Sequence, residues 1–187
     1  MARITATVYT SHVPAIGAAM DLGKDGEPYW QKVFDGYTFS RQWIKDNAPD
    51  VIILVFNDHA NAFSLSMIPT FAIGTAPRYP IADEGWGPRP VPEVIGDAEF
   101  ASHIAQSVIQ DDFDLTIVNE MALDHGLTVP LSLMFGKTDA WPCRVIPIAV
   151  NVVQYPAPSG KRCFDLGKAI RRAVASYDET PVSYTHL

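Results

Sequence analysis

Polar and apolar residues alternate over RITATVYT, residues 3–10, and several are β-branched. That period of two predicts a strand. Pro14 then ends any regular pairing. Over residues 30–47 the period lengthens: Val33, Tyr37, Trp43 and Ile44 form one apolar side of a helix, weakened at Gly36. VIILVF, 51–56, is apolar without a break, as in a strand covered on both faces of a central parallel or mixed sheet. MIPTFAIG, 67–74, reads as a further strand that Pro69 pushes toward an edge or bulge.

Residues 75–96 are rich in proline and glycine and read as a long loop, either ordered or flexible. Trp86 favours order, since disordered segments are poor in aromatics. Helical spacing returns at 97–110, where Phe100, Ile104 and Val108 lie on one face and Asp97 can cap the start. LTIVN, 115–119, is a short strand. HGLTVPLSLMFG, 125–136, reads as a helix whose start Pro130 breaks or kinks. RVIPIAVNVV, 144–153, is a strand. The stretch 159–177 is a final helix with Ser159 as its cap and Cys163, Leu166, Ile170 and Val174 as its stripe. Strands and helices alternate throughout, so the expected fold is a layered α/β domain with a central mixed or parallel sheet flanked by helices.

Composition narrows the function. The chain has 187 residues, 48% hydrophobic and 19% charged, enough for one domain with a sizeable core. A net charge of −7 argues against a general nucleic-acid binder, which needs a basic surface. Cys143 and Cys163 are too few for a disulfide framework and not spaced as a metal ribbon; as two reduced thiols they fit a cytoplasmic protein. No signal peptide is expected, and no apolar run approaches the ~20 residues of a membrane span.

The candidate chemistry is histidine. His12, His59 and His125 each follow a predicted strand, and in open α/β sheets ligands bind outside the carboxyl ends of strands. Were the strands parallel, the three imidazoles would converge on one rim. Imidazole there serves as a metal ligand or as a general base. Two histidines with one carboxylate make the facial site of non-heme Fe(II) oxygenases, but no carboxylate is evident from spacing. Asp58 and Asp124 each precede a candidate histidine and could orient it, or serve as turn residues. Asp83 and Glu84 could bind metal or be solvated in their loop. His103 reads as a surface or packing residue of its helix. No nucleophile elbow or dinucleotide loop occurs.

Long stretches resemble a known family. TSHVPAIGAAMD, PDVIILVFNDHANAF, IPTFAIG, ADEGWGPRPVP, HIAQSVIQDDFDLTIVN, DHGLTVPLSLMFG and WPCRVIPIAVNVVQYPAPSGKRCF are similar to the class III (LigB-type) extradiol dioxygenases. They look like β subunits of the protocatechuate 4,5-dioxygenase type; gallate dioxygenases share the histidine motifs, while LTVPLSLMFG and NVVQYPAPSGKRC look closer to the protocatechuate enzyme. The resemblance implies O2-dependent ring cleavage of protocatechuate to 4-carboxy-2-hydroxymuconate semialdehyde. It also implies a mononuclear Fe(II) held by His12, His59 and a glutamate, with Asn57 beside the substrate and His125 in the active site. A small α subunit would cover the site in a hetero-oligomer. The family's glutamate ligand and main catalytic histidine fall downstream of the matching stretches. Residues 1–178 are therefore expected to be the N-terminal part of the catalytic domain, and ETPVSYTHL, 179–187, a non-native tail in which His186 is inert. Two other readings stand beside this one: a zinc hydrolase using the same histidine pair, and a non-catalytic fragment.

Overall fold

The structure is a computed structural model that describes residues 1–177. The expected tail, 179–187, lies outside the described residues. Six strands and six helices are formed in that span: α1 (Pro14–Asp21), α2 (Pro28–Asp35), α3 (Thr38–Asn47), β1 (Val51–Phe56), β2 (Phe71–Gly74), β3 (Arg78–Tyr79), β4 (Val94–Ile95), α4 (Ala98–Gln110), β5 (Thr116–Val118), α5 (His125–Phe135), β6 (Arg144–Val150) and α6 (Gly160–Ser176).

The main sheet has the order β1-β6-β2-β5 and is mixed, as expected. β1 pairs with β6 in parallel, β2 with β5 in parallel, and β2 with β6 antiparallel. β6 is therefore internal and carries Pro147, which has no N–H to donate. The antiparallel register with β2 stops at Ile73↔Ile148, one residue short of that proline. Pro147 thus sits where this ladder no longer asks for a donor, the condition under which a strand tolerates proline.

Two layers of helices cover the sheet. On one face Ile104 and Val108 of α4 and Ile170 and Val174 of α6 pack against Ile73, Ile146 and Ile148. On the other, Leu127 and Leu131 of α5 pack with Phe56, Ala72 and Ala149. The opposite side of α5 meets Ile16 and Met20 of α1 and Ile44 of α3 through Val129 and Leu133. With the sheet below and two helices above, α5 is buried from His125 through Met134.

Several expectations need correction. Residues 3–10 form no strand; almost all are exposed. Alternation records what a strand would favour, but a strand exists only through a hydrogen-bonded neighbour. Pro14 does more than end a pairing: it begins α1 at a position where its missing N–H is not needed. The 30–47 helix is two helices, α2 and α3, parted at Gly36. β2 starts only at Phe71, after Pro69. β1, read as central, stands at one edge of the sheet among the described residues, with Val55 56% exposed. A continuous apolar run reports what covers the faces, not how many strands flank the edges. Pro130 lies inside α5 and the helix runs through it; burial on both sides offsets the lost backbone bond.

Candidate functional site

The loop after β1 carries Asn57 and His59. Asp58 accepts from the backbone N–H groups of Asn61 (3.1 Å), Ala62 (2.9 Å) and Phe63 (3.1 Å), so it is a turn residue and orients no imidazole. Burial pushes its carboxyl above the usual range, against those three donors. The turn reverses the chain and leaves His59 facing the start of α5.

There His59 meets Asp124, the N-cap of α5, which is 1% exposed. Asp124 Oδ2 accepts from the His59 backbone N–H (2.7 Å) and lies 2.9 Å from His59 Nδ1; Oδ1 accepts from the Gly126 N–H (2.8 Å). One carboxylate thus caps the helix and fixes the ring. Opposite a carboxylate, Nδ1 carries the proton, and Nε2 keeps its lone pair. The Asn57 amide nitrogen lies 3.0 Å from that Nε2.

His125, the first residue of α5, is tied in the same way to a different carboxylate. Its backbone N–H donates to Glu84 Oε1 (2.9 Å), and its Nδ1 makes a short hydrogen bond to Glu84 Oε2. Adjacency in sequence was therefore misleading: Asp124 serves His59, and Glu84, not Asp124, serves His125. Glu84 is neither solvated nor free to bind metal. Asp83 beside it accepts from the N–H groups of Gly85 and Gly87, each 2.9 Å away, and closes a tight turn. Both glycines have positive φ, +100° and +86°, which other residues rarely adopt.

All three histidines come together. Ring centroids lie 4.0 Å apart for His59 and His125, which are stacked, 5.2 Å for His12 and His59, and 6.1 Å for His12 and His125. The route differs from that expected. β5 runs opposite to β1, so their carboxyl ends lie at opposite ends of the sheet. The chain after β5 folds back instead: Leu123 donates to Pro80 O (2.9 Å) and accepts from the Ala82 N–H (3.0 Å). That bridge sets Glu84 beside His125. His103 stands apart, its Nε2 near Ala173 O and Ser176 Oγ, both 3.0 Å.

The span 75–96, read as one long loop, holds the antiparallel pair β3 and β4, and the segment between them is tied down by part-buried polar contacts. The Arg89 guanidinium grips both oxygens of Asp21 (2.9 and 2.8 Å) and donates to Thr128 Oγ1 (3.1 Å), tying the loop to α1 and α5. Trp141 Nε1 donates to Pro92 O (3.0 Å). Nothing in the sequence marks the Arg89–Asp21 pair, since its partners lie far apart along the chain.

His59, Asp124 and His125 each offer a donor atom, all within 4.8 Å of one another, a grouping that could hold a metal ion. Both Asp124 oxygens already accept backbone or imidazole N–H groups, so its chemistry is to orient rather than to ligate. The donors left over are imidazole nitrogens, which suit a first-row transition metal.

Burial, then the neighbouring His59 and His125, lower the His12 pKa below the ordinary histidine value, with Asp124 opposing them. A neutral imidazole is the ligand form. The unfolded chain takes up a proton at His12 near pH ~6.5, the folded chain only at lower pH, so acidification through that window favours unfolding. Urea midpoints of the metal-free chain should fall between about pH 7.5 and 5.5, and by less in His12→Asn. An equal fall in both proteins would refute this.

Among the described residues, no helix is long and apolar enough to cross a membrane. Comparison with known proteins places the chain in a family. The chain is 42% identical over 99 residues to gallate dioxygenase of Pseudomonas putida, covering 53% of this chain and 29% of that one. It is 32% identical over 184 residues to a 2,3-dihydroxyphenylpropionate/2,3-dihydroxicinnamic acid 1,2-dioxygenase of a Mycobacterium species, covering 96% of this chain and 54% of that one. A Rhodococcus protein of the same name is 32% identical over 173 residues, covering 90% and 51%. The chain spans about half the length of these relatives or less. The family model for the catalytic LigB subunit of aromatic ring-opening dioxygenase matches residues 6–183. The chain belongs to the LigB family of class III extradiol, aromatic ring-opening dioxygenases.

Proposed function

We propose that this chain carries part of the active site of an O2-dependent extradiol dioxygenase, of the protocatechuate 4,5-dioxygenase β-subunit type, with Fe(II) held at His12 and His59. The observation behind it is that three imidazoles from separate segments meet, two of them with Nδ1 committed to carboxylates. His59 then keeps a lone pair on Nε2, 3.0 Å from the Asn57 amide nitrogen, and His12 stays neutral to lower pH. Bound there, the metal would hold the two hydroxyls of a catechol and mediate electron flow from ring to O2.

The chain's own residues do the rest. Asp124 holds the His59 ring. Asn57 offers an amide beside it, able to donate to a substrate oxygen once Nε2 is engaged elsewhere. His125, stacked against His59 and tied at Nδ1, has Nε2 available to take a proton from a substrate hydroxyl. The substrate class is a catechol bearing a carboxylate. Protocatechuate is the first choice and gallate the alternative, the latter supported by the named relative. The same reading includes a small α subunit covering the site.

The test is oxygen uptake by anaerobically iron-loaded protein, full length and with its partner, given protocatechuate, gallate or 2,3-dihydroxyphenylpropionate. Uptake with the first, lost in His59→Ala, is the expected result. No uptake with any catechol overturns the reading. The non-catalytic alternative draws on the length of the relatives, about twice that of this chain. Titration of Fe(II) into the 187-residue chain separates the two readings of the fragment. Weak binding is expected from two imidazoles alone, and tight stoichiometric binding would show the site to be self-sufficient.

A further inference from the structure

We infer that Glu84 is a positioning residue that fixes the tautomer of His125 and so keeps Nε2 of that ring as the proton acceptor. The inference deepens the dioxygenase reading and rests on it for the identity of the proton donor, a substrate hydroxyl.

The geometry is a two-point grip. Oε1 accepts the backbone N–H of His125 at 2.9 Å, and Oε2 takes the short hydrogen bond from Nδ1 of the same residue. Side chains on both sides are largely buried, 9% exposed for His125 and 14% for Glu84, so water does not compete well for either bond. Both oxygens face donors of one residue, which leaves the ring a single orientation. The loop bearing Glu84 is itself held, by the Asp83 turn at 83–88 and by the Ala82–Leu123 bond two residues upstream. A carboxylate accepts only. The nitrogen facing it therefore carries the proton, and the far nitrogen is left with a lone pair. When Nε2 takes the hydroxyl proton, the ring becomes an imidazolium whose Nδ1–H still points at Glu84, and the positive charge is met by the carboxylate. The proton leaves the substrate oxygen and resides on Nε2; no other species is consumed.

The Glu84→Gln variant turns this into a measurement. A glutamine has one acceptor oxygen for two N–H groups. The backbone N–H cannot change, so the amide oxygen goes to it and the amide NH2 faces Nδ1. Nδ1 must then accept, and the proton moves to Nε2. Long-range proton–nitrogen NMR of the histidine-labelled 187-residue chain at fixed pH reads the tautomer directly, with His125 assigned by its loss in His125→Gln.

The expected result is the Nδ1–H form in the wild type, the Nε2–H form in Glu84→Gln, and the Nδ1–H form again in Glu84→Asp. In the assembled, iron-loaded enzyme, kcat should fall by roughly 10²- to 10⁴-fold in Glu84→Gln, the range for losing a positioned general base, with KM and iron content little changed. An Nε2–H form in the wild type overturns the inference whether or not the variant folds. So does an unchanged tautomer in a folded Glu84→Gln. The NMR result does not depend on turnover: a tautomer switch without oxygen uptake from any catechol would sink the dioxygenase reading and leave the role of Glu84 intact.

Discussion

Replacing Asp124 with alanine should cost the fold about 3 kcal/mol and dismantle the histidine cluster at the same time. The two losses share a cause. Asp124 is the N-cap of α5, and removing a capping carboxylate costs about 1 kcal/mol. Its other oxygen accepts the His59 backbone N–H and lies against His59 Nδ1. Leaving such buried donors without a partner costs a further ~1–3 kcal/mol. Against a total stability of about 5–15 kcal/mol, that is a large fraction.

The Asp124→Asn variant separates the two roles. Its amide oxygen can still cap Gly126, but the NH2 group cannot accept from His59. The share of stability due to the cap should be kept and the ~1–3 kcal/mol tied to the His59 donors lost, while affinity for Fe(II) falls by ~10- to 100-fold, as expected when a ligand's supporting carboxylate is removed. Urea unfolding and metal titration of both variants check this. Equal iron affinity in Asp124→Asn and wild type would mean that Asp124 caps a helix and nothing more.

How much of this was legible in the sequence depends on whether the signal is local. Helices α4 and α6 came out nearly to the residue, because apolar spacing and a capping Asp97 or Ser159 lie within the segment itself. The mixed sheet was legible from alternation of element types. What failed was pairing. Among the described residues the strand pattern at 3–10 pairs with no strand, and β1 reads like a central strand while standing at an edge. Both errors concern which segment lies beside which, and no period in a sequence encodes that.

The site divides along the same line. His12, His59 and His125 were singled out for their places after predicted strands, and the fold does gather them. The carboxylates were harder. Asp124 precedes His125, yet it serves a ring 65 positions away. Glu84 reaches His125 across 41 positions. One local sign was available: in DHGL, an aspartate two residues before a glycine at a helix start is a capping pattern, and the glycine marks a close approach.

That glycine gives the sharpest test of the close approach. Gly126→Ala lies in the first turn of α5, where helix propensity alone would make alanine more stable by up to about 1 kcal/mol. Contacts reverse the sign. A Cβ at Gly126 would lie 2.5 Å from Asn57 O, 2.9 Å from Asp124 Oδ1 and 3.3 Å from His59 Cε1. The first is backbone and the second is a committed cap, so neither can yield without moving the β1 loop away from α5. Such overpacking costs about 1–3 kcal/mol, more than propensity returns. The displaced loop carries His59, so the 2.9 Å approach of Nδ1 to Asp124 should lengthen and metal affinity should fall with stability. Gly167 in α6 supplies the internal control: it is helical, and a methyl group on its Cα would have nothing within 4 Å. Gly167→Ala should therefore raise stability by about 0.5–1 kcal/mol and leave metal binding untouched. Opposite signs in the urea midpoints of the two variants are the expected outcome. If Gly126→Ala were also stabilising and bound Fe(II) as the wild type does, the tight seat of α5 against His59 would be refuted, and with it the claim that this helix start builds the site.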